Sequence, residues 1–267
     1  MLLKITRIAS FFMLFFASFL NAVEKFHFAT ATDTEHYTWT LNLIASIHRF
    51  HDKQLGEIAV YDIGLLPKQR SHLNSLYCVN VYDVEKTNSY IFDKFTVNSN
   101  SKVARGWYSW KPVIIKLAME KFSEFFYLDS GVALVGPMDK LFEHLHENNY
   151  IFIDCGHTIQ RMTIQPLIKK FELDLPQNKW VLKEKGISAG IQGLSRALYA
   201  SYVLPIYEMS HDIANFADDG SCPKGFGWSR HDQVLFSIQA RLLGFYVNNA
   251  IRGAGVPVKN DRNDVMI

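Results

Sequence analysis

Residues 124–131 read Glu-Phe-Phe-Tyr-Leu-Asp-Ser-Gly, and this stretch decides the fold that we expect. The short apolar run 125–128 is typical of a core strand, because it is bounded by polar and turn-forming residues. The strand is expected to end at Asp129. Gly131 follows closely and lets backbone or ligand approach, since glycine has no side chain. The sequence therefore predicts a buried strand with a carboxylate at its end.

Strands and helices alternate on the N-terminal side of this stretch. Apolar runs predict strands at 25–32, 57–62 and 77–82, and helical spacing predicts helices at 37–50 and 67–76. Alternation of this kind predicts an α/β fold with a mostly parallel sheet and helices on both faces. The remaining predictions are a polar surface excursion at 83–106, helices at 112–122, 138–146, 196–209 and 231–243, and strands at 150–154, 188–194 and 245–249.

The composition indicates a globular protein whose main body is electrically neutral. The chain has 267 residues, of which 48% are hydrophobic and 20% charged, and its formal net charge is +2. Lys4 and Arg7 account for that excess, because residues 1–22 contain no acidic residue. A neutral body without a basic tract argues against a nucleic-acid partner. Residues 23–267 are expected to form a single domain.

The N-terminus has the layout of a secretory signal peptide. Lys4 and Arg7 precede the uncharged stretch 8–20, and Ala22 provides a small residue where cleavage would occur. We therefore expect residues 1–22 to be a signal peptide and the protein to enter the secretory pathway or be exported. An uncleaved anchor that associates with a membrane through residues 8–20 is the alternative. A buried N-terminal helix is a third interpretation.

Polar clusters follow three of the predicted strands. They lie at 30–33, 129–131 and 154–157. In open parallel sheets, ligands bind beyond the carboxyl ends of the strands. A carboxylate placed there is costly to bury unless it is paired, hydrogen-bonded or bound to a cation. Asp129 is therefore a candidate for facing a metal ion or a phosphate, and capping of a turn is the equally weighted alternative.

Four blocks of the sequence resemble a known family. Residues 106–115 read GWYSWKPVII and residues 126–131 read FYLDSG, with a helix between them. Residues 189–193 (AGIQG) and 230–233 (RHDQ) resemble later blocks, so the resemblance spans about residues 26–250. Together they resemble bacterial nucleotide-diphospho-sugar transferases. This resemblance implies a GT-A-like, Rossmann-like fold and transfer of a sugar from a UDP- or GDP-linked donor to a hydroxyl of a glycan, lipid or protein acceptor.

The resemblance also implies a set of donor-binding residues. The end of the first strand would hold the nucleobase and ribose, although helix capping is an alternative for those residues. The ammonium of Lys111 would hold a phosphate, unless it is simply a solvated cation. The predicted donor-binding residues are Thr30, Thr32, Asp33, Lys111, Asp129, Ser130, Gly131 and Arg252.

A divalent cation, Mn²⁺ or Mg²⁺, is the cofactor that the resemblance implies. Such a cation stabilises the charge that develops on a leaving diphosphate. The family holds it with an Asp-x-Asp element, but here Gly131 stands in place of the second acid. Asp129 would then need a second ligand, for which His157 is our choice and Asp154 and His231 are alternatives. A site that uses Lys or Arg instead of a metal also remains open.

The chemistry of transfer is assigned to the block at 230–233. Asp232 would orient the acceptor hydroxyl or accept its proton, together with His231, although an acidic first turn of a helix is the alternative. Gly190, Gln192 and Trp110 are candidates for binding the acceptor. The alternative function is a catalytically inactive nucleotide- or glycan-binding module of the same fold, which Gly131 favours. A Gly-x-Ser-x-Gly motif is absent, which argues against an α/β hydrolase.

Overall fold

The computed structural model describes residues 25–97, 102–223, 229–247 and 258–260. In these residues the α-helices are more numerous than the sequence predicts. The strands are β1 (Phe26–Thr32), β2 (Leu55–Asp62), β3 (Val79–Asp83), β4 (Lys94–Val97), β5 (Lys102–Arg105), β6 (Glu124–Leu128), β7 (Val132–Leu134), β8 (Tyr150–Thr158), β9 (Lys185–Ser195) and β10 (Val258–Asn260). The α-helices are α1 (Tyr37–His51), α2 (Pro67–Asn74), α3 (Trp110–Lys121), α4 (Asp139–Asn148), α5 (Ile159–Met162), α6 (Gln165–Lys170), α7 (Leu204–Met209) and α8 (Asp232–Leu242).

The central sheet has six strands in the order β3-β2-β1-β6-β9-β8. β1 pairs in parallel with β2 and with β6, and β2 pairs in parallel with β3. β9 pairs antiparallel with both of its neighbours, so it alone runs against the other strands of this sheet. The mostly parallel sheet of the prediction is confirmed. The carboxyl ends of β1, β2 and β6 consequently meet at one edge.

Alternate side chains of each strand enter two separate hydrophobic cores. In β6, Phe125 and Tyr127 belong to the core that contains α3 and α8, whereas Phe126 and Leu128 belong to the core that contains α1 and α4. This follows from the two-residue period of a strand, whose neighbouring side chains point to opposite faces. Both faces of the sheet are therefore covered by helices, as predicted, and β6 lies in the middle of the molecule.

The segment 83–106 differs from the predicted polar excursion. It contains the antiparallel hairpin β4–β5, and Ile91 and Ala104 are buried within it. The guanidinium of Arg105, at the end of β5, reaches the carboxylate of Asp33 at the end of β1. The hairpin is thus tied to the sheet edge where the parallel strands end, and it forms a wall there.

The helix predicted at 196–209 is interrupted. Residues Arg196–Leu198 form a 3₁₀ turn, Tyr199–Val203 a π turn, and only α7 is α-helical. The reason is Pro205, which has no backbone N–H to continue the helical hydrogen bonds. The side-chain amide of Gln239 donates a hydrogen bond to the carbonyl of Ser201 at 2.7 Å, which satisfies an oxygen in the interrupted turn.

Two predictions concern the chain termini. The strand predicted at 245–249 is wrong for its described part, because residues 245–247 are not in a strand and Gly244 adopts a positive φ of 75° after α8. Residues 1–22 lie outside the described residues, so the signal peptide stays a prediction. Within the described part of the chain, no helix combines the length and the apolar character needed to cross a membrane.

Candidate active site

A cavity of about 690 Å³ opens at the edge where β1 and β6 end. Its walls come from the ends of these two strands, from the N-terminal half of β9 and from the starts of α3 and α8. Residues 129–131 and 188–191, which are neighbours in the sheet, both line it. The polar residues that follow β6 therefore line an open space, as ligand-binding residues do at the carboxyl ends of parallel strands.

A buried lysine joins two carboxylates at the inner end of this cavity. The Nζ atom of Lys111 lies 3.0 Å from Asp129 Oδ1 and 3.0 Å from Asp232 Oδ2. The side chain of Lys111 is 4% exposed, that of Asp232 is 6% exposed and that of Asp129 is 42% exposed. We call these three residues the acid–lysine triad. The buried side chains of Lys111 and Asp232 fix the geometry of the triad, and the exposed carboxylate of Asp129 faces the cavity.

The sequence around each member of the triad explains its position. Lys111 lies in the first turn of α3, where Pro112 is tolerated because N–H groups of the first turn have no partner within the helix. Asp232 is the first residue of α8, where a negative charge is stabilised by the helix dipole. Asp129 immediately follows β6, and its Oδ1 also accepts a hydrogen bond from the Tyr127 hydroxyl at 2.9 Å.

Gly190 on β9 leaves the space that Asp129 occupies. A Cβ atom at position 190 would lie 2.5 Å from Asp129 Oδ2 and 3.0 Å from its Cγ. The backbone N–H of Asp129 donates to the Gly190 carbonyl at 2.8 Å, so the two residues are held together by the sheet. The role of Gly190 is therefore steric, since the carboxylate packs directly on its backbone.

Electrostatics keep the lysine of the triad charged. Burial alone lowers the pKa of Lys111, but the charges of Asp129 and Asp232 outweigh burial and raise that pKa above its ordinary value. Burial raises the pKa of Asp232, and the ammonium of Lys111 opposes this shift. Two carboxylates around one ammonium leave the triad with a net negative charge, which suits hydrogen bonds from sugar hydroxyls to carboxylate oxygens.

Another buried carboxylate, that of Asp33, lines the cavity immediately after β1. Asp33 Oδ1 accepts hydrogen bonds from the backbone N–H groups of Glu35 and His36 and lies 2.6 Å from His36 Nδ1. Its Oδ2 receives Nε and Nη2 of Arg105 at 3.0 Å each. Both oxygens of Asp33 are thus engaged in shaping the turn into α1 and in anchoring the β4–β5 hairpin. These contacts are those expected from the alternative prediction for Asp33, in which it caps the helix that follows β1.

The contacts of Asp33 predict how stability changes in acid. Burial opposes its ionisation, but hydrogen bonds from His36 and Arg105 outweigh burial and hold the pKa of Asp33 well below its ordinary value. A carboxylate with a lowered folded-state pKa stabilises the fold above its unfolded pKa, and this contribution is lost as the pH falls toward the folded value. Asp33→Asn should lower the unfolding free energy by about 2 kcal/mol at pH 7.

Denaturant unfolding at pH 7 and at pH 3 checks this expectation. The difference between the wild type and Asp33→Asn should be smaller at pH 3, because the wild type has begun to lose the contribution of Asp33. Asp174→Asn, which changes an exposed carboxylate, is the matched control and should have little effect at either pH. An Asp33→Asn penalty that is the same at both pH values would contradict the assignment.

His231 has an unusual backbone and a fixed ring orientation. Its φ and ψ angles are 51° and −120°, a conformation that side-chain-bearing residues rarely adopt. Its Nδ1 lies 2.8 Å from the carbonyl oxygen of Phe216, and a carbonyl only accepts, so Nδ1 carries the hydrogen. In the neutral ring, Nε2 is then the proton-accepting nitrogen. Backbone strain of this kind accumulates at functional sites.

The donor atoms at the end of β6 do not fit a divalent cation held by the protein alone. Mg²⁺ takes near-octahedral oxygen ligands, and of residues 129–131 only Asp129 supplies a carboxylate. Asp129 and Asp232 already share the ammonium of Lys111, which repels a second cation. Across the described segments, no group of three His, Cys, Asp or Glu side chains is placed to hold a metal ion.

The cavity brings together most of the residues that the sequence singled out. Those lining it are Thr32, Asp33, Trp110, Lys111, Asp129, Ser130, Gly131, Gly190, His231 and Asp232. Among the remaining predicted residues, Thr30 is buried and does not line the cavity, and His157 does not line it either, so His157 is not a partner of Asp129 across this space. Arg252 lies outside the described residues, and its predicted role stays a prediction.

Gln192 was predicted to bind the acceptor, and its position is a correction. It is completely buried, its Oε1 accepts a hydrogen bond from the Tyr202 hydroxyl at 2.9 Å, and its Nε2 donates to the Ala189 carbonyl. The side chain points to the same face of β9 as Gly190 but lies two residues, or about 7 Å, farther along the strand. That distance places it in the core beyond the cavity.

His36, Arg105 and Arg230 line the cavity but are not among the predicted site residues. His36 lies three residues after Asp33, a spacing at which an Asp commonly binds the following turn, so a local signal existed. Arg105 belongs to the segment 83–106, for which the sequence predicts a surface excursion, and no neighbouring residue in the sequence points to Asp33. Arg230 lines the cavity and directly precedes His231, within the block that the family resemblance rests on.

Comparison with known proteins identifies the fold. No family model and no curated protein matches the sequence. Among solved structures, the Mn/GDP form of core-mannan synthase A from Aspergillus fumigatus has a TM-score of 0.58 at 10% identity, covering 86% of this chain and 72% of that one. Mouse xyloside xylosyltransferase 1, in an apo form, has a TM-score of 0.50 at 12% identity, covering 91% and 99%.

A third similar structure is the mannosyltransferase Ktr4p from S. cerevisiae. Its TM-score is 0.52 at 10% identity, and the match covers 81% of this chain and 65% of that one. At identities this low, the activities of these enzymes do not transfer to this protein, because function depends on the site and not on the fold. The mostly parallel central sheet and the matches over most of the chain show that this protein has the GT-A fold of nucleotide-sugar glycosyltransferases.

Proposed function

We propose that this protein is a glycosyltransferase that moves a sugar from a nucleoside-diphosphate donor, linked to UDP or GDP, to an acceptor hydroxyl. The observation that carries the proposal is the acid–lysine triad. It places one exposed and one buried carboxylate around a charged lysine at the carboxyl end of β6, inside a cavity of about 690 Å³. One of the similar structures is described as a Mn/GDP form, which supports a nucleotide as the ligand class.

The triad suits the sugar portion of the donor. Sugar hydroxyl groups donate strong, directional hydrogen bonds to carboxylates, and Lys111 fixes the positions of the Asp129 and Asp232 carboxylates. Thr32 and Asp33 line the cavity at the end of β1, where we assign the nucleobase and ribose. Trp110 lines the same cavity, and its indole N–H is bound to the Arg105 carbonyl, so the ring is a fixed apolar wall.

The proposed reaction exchanges one bond at the anomeric carbon. The bond to the phosphate oxygen breaks, the bond to the acceptor oxygen forms, and the nucleoside diphosphate leaves with the electron pair. The proton of the acceptor hydroxyl goes to Nε2 of His231, whose other nitrogen is held by the Phe216 carbonyl. Asp232, which is paired with Lys111, orients hydroxyl groups rather than taking this proton.

Thermal shift and turnover together test the proposed function. UDP or GDP at about 100 times Kd should raise the melting temperature of the full chain by roughly 5–10 °C, because a ligand of the native state adds about 2.7 kcal/mol at that excess. Asp232→Asn should slow sugar transfer, or donor hydrolysis in the absence of an acceptor, about 100-fold. Asp174→Asn is the control, and unchanged turnover in Asp232→Asn would contradict the proposal.

The alternative function is a binding module that has kept the fold and lost turnover. Gly131 favours it, because the second carboxylate of the Asp-x-Asp element is missing. A nucleotide-dependent rise in melting temperature without any sugar release from UDP- or GDP-sugars would identify this alternative. Repeating both measurements with Mn²⁺, Mg²⁺ and a chelator tests the divalent cation implied by the family resemblance, and any cation-dependent part should disappear in Asp129→Ala.

The N-terminal segment bears on where in the cell the protein acts. We propose that residues 1–22 direct the chain into the secretory pathway, with retention as a membrane anchor through residues 8–20 as the alternative. N-terminal sequencing of the protein purified from its own cells distinguishes a cleaved segment from a retained one.

A further inference from the structure

A cluster of positive side chains lies beside the cavity, where β8 ends and β9 begins. Lys185, the first residue of β9, pairs with Thr158, and its Nζ donates to the Gly156 carbonyl at 3.4 Å. Arg161 follows β8 in the short helix α5, and the backbone N–H of Arg230 donates to the carbonyl of the adjacent Met162 at 3.3 Å. We call Arg161, Lys185 and Arg230 the basic rim.

The basic rim concentrates positive charge in a body that is neutral as a whole. All three cations are close enough to His157 to affect its pKa. Burial is the largest cause that lowers this pKa, the charges of Arg230, Arg161 and Lys185 lower it further, and the charge of Asp154 raises it. Residues 23–267 carry equal numbers of basic and acidic side chains, so this local excess is not a general property of the surface. Such an excess attracts anionic groups.

The basic rim is continuous with the cavity. Arg230 belongs to both, since it lines the cavity beside His231. Along β9, Lys185 is three residues from Ser188, which lines the cavity wall, and three residues of a strand span about 10 Å. Arg161 and Lys185 are exposed, and a side chain at Gly156 would meet no atom within 4 Å. A ligand can therefore occupy the cavity and contact the rim at once.

The rim lies on the side of the cavity away from the nucleotide end. In the sheet order, β8 is three strands from β1, and adjacent strands are about 4.8 Å apart, so the two ends are separated by roughly 14 Å. With the base and ribose at the end of β1 and the donor sugar at the triad, the rim faces the remaining substrate, which is the acceptor.

We propose that the acceptor of this enzyme carries an anionic group, a phosphate, sulfate or carboxylate, which binds at the basic rim beside the cavity. The identification of the ligand as the acceptor rests on the proposed function, whereas the anion site itself is inferred from the geometry of the rim. Arginine and lysine bind such groups through charge-assisted hydrogen bonds. Neutral sugars lack the group that this surface is built to contact.

Calorimetric titration of the full chain with glucose 6-phosphate and glucuronate, against glucose as the uncharged control, tests this inference. Both anionic sugars should bind more tightly than glucose, and the difference should shrink from 50 mM to 300 mM NaCl because salt screens exposed charges. The double variant Arg161→Ser/Lys185→Ser should weaken their binding about tenfold. The double variant Lys68→Ser/Lys140→Ser, which removes two exposed lysines elsewhere, should not.

Separate outcomes distinguish this inference from the proposed function. Equal affinity for glucose and the anionic sugars would overturn the anion site, as would unchanged binding in Arg161→Ser/Lys185→Ser. A parallel loss of UDP and GDP affinity in that variant would also overturn it, since the rim would then hold the phosphates of the donor. Rim-dependent binding of anionic sugars in a protein that binds no nucleotide would keep the anion site and reject the transferase.

Discussion

Replacing Lys111 by methionine should lower the free energy of unfolding by about 3–5 kcal/mol at pH 7.5. The substitution keeps the length of the side chain but removes the ammonium that lies between the carboxylates of Asp129 and Asp232. Removing one partner of a buried ion pair is strongly destabilising, because the remaining charge is left uncompensated. For a chain of this size, the melting temperature should fall by roughly 10 °C.

The same variant should gain stability on mild acidification. Without the ammonium, burial and the neighbouring Asp129 raise the folded-state pKa of Asp232 further above its unfolded value. A carboxyl group with a raised folded-state pKa stabilises the fold fully below its unfolded pKa, and this contribution is lost as the pH rises through the folded value. Relative to the wild type, Lys111→Met should therefore be less destabilised at pH 5 than at pH 7.5.

A neighbour on the same helix provides the control. Lys116 also lies in α3, but its partners Glu85 and Glu120 are exposed, so Lys116→Met should cost less than about 1 kcal/mol. Adding Asp232→Asn to Lys111→Met should recover part of the loss, because it removes one of the two uncompensated charges. Denaturant unfolding of the four proteins measures these differences. Wild-type stability of Lys111→Met at pH 7.5 would refute the structural role of the triad.

The sheet was predictable from the sequence because each of its elements is marked locally. Apolar runs such as residues 125–128 give strands wherever they fall in an alternation with amphipathic helices, and β6 ends at Leu128, where the sequence places its end. The hairpin β4–β5 was missed because each strand has only four residues. Its anchor, Arg105, contacts Asp33 across 72 positions of sequence, a distance over which single-residue patterns carry no information.

The sequence predicted which residues belong to the candidate site but not which of them contact each other. Lys111, Asp129 and Asp232 were each singled out as polar residues at the start of a helix or the end of a strand. Their mutual contacts depend on the packing of α3 against β6 and of α8 against β9, which no spacing in the sequence encodes. Lys111 was expected to meet a phosphate, yet two carboxylates surround it. Gln192 shares a strand face with Gly190, and only its depth in the core separates their roles.

Gly190→Ala should reduce sugar transfer about 100-fold while leaving the protein folded. The added Cβ would lie 2.5 Å from Asp129 Oδ2, so the carboxylate has to move away from its present position. The hydrogen bond from the Asp129 N–H to the Gly190 carbonyl holds the two backbones together and prevents relief by separation of the strands. A displacement of about 1 Å in a positioning group is enough for a loss of this size.

Gly193→Ala on the same strand separates misplacement from simple overcrowding. Its added Cβ would lie 2.9 Å from the ring of Phe126, within the core and away from Asp129, so it should cost about 1–3 kcal/mol of stability but retain kcat. In an Asp129→Ala background, Gly190→Ala should have almost no additional effect on stability, because the atom that it strikes is gone; this non-additivity is the signature of a direct contact. Equal losses of kcat in Gly190→Ala and Gly193→Ala would mean that crowding of β9, and not the position of Asp129, controls transfer.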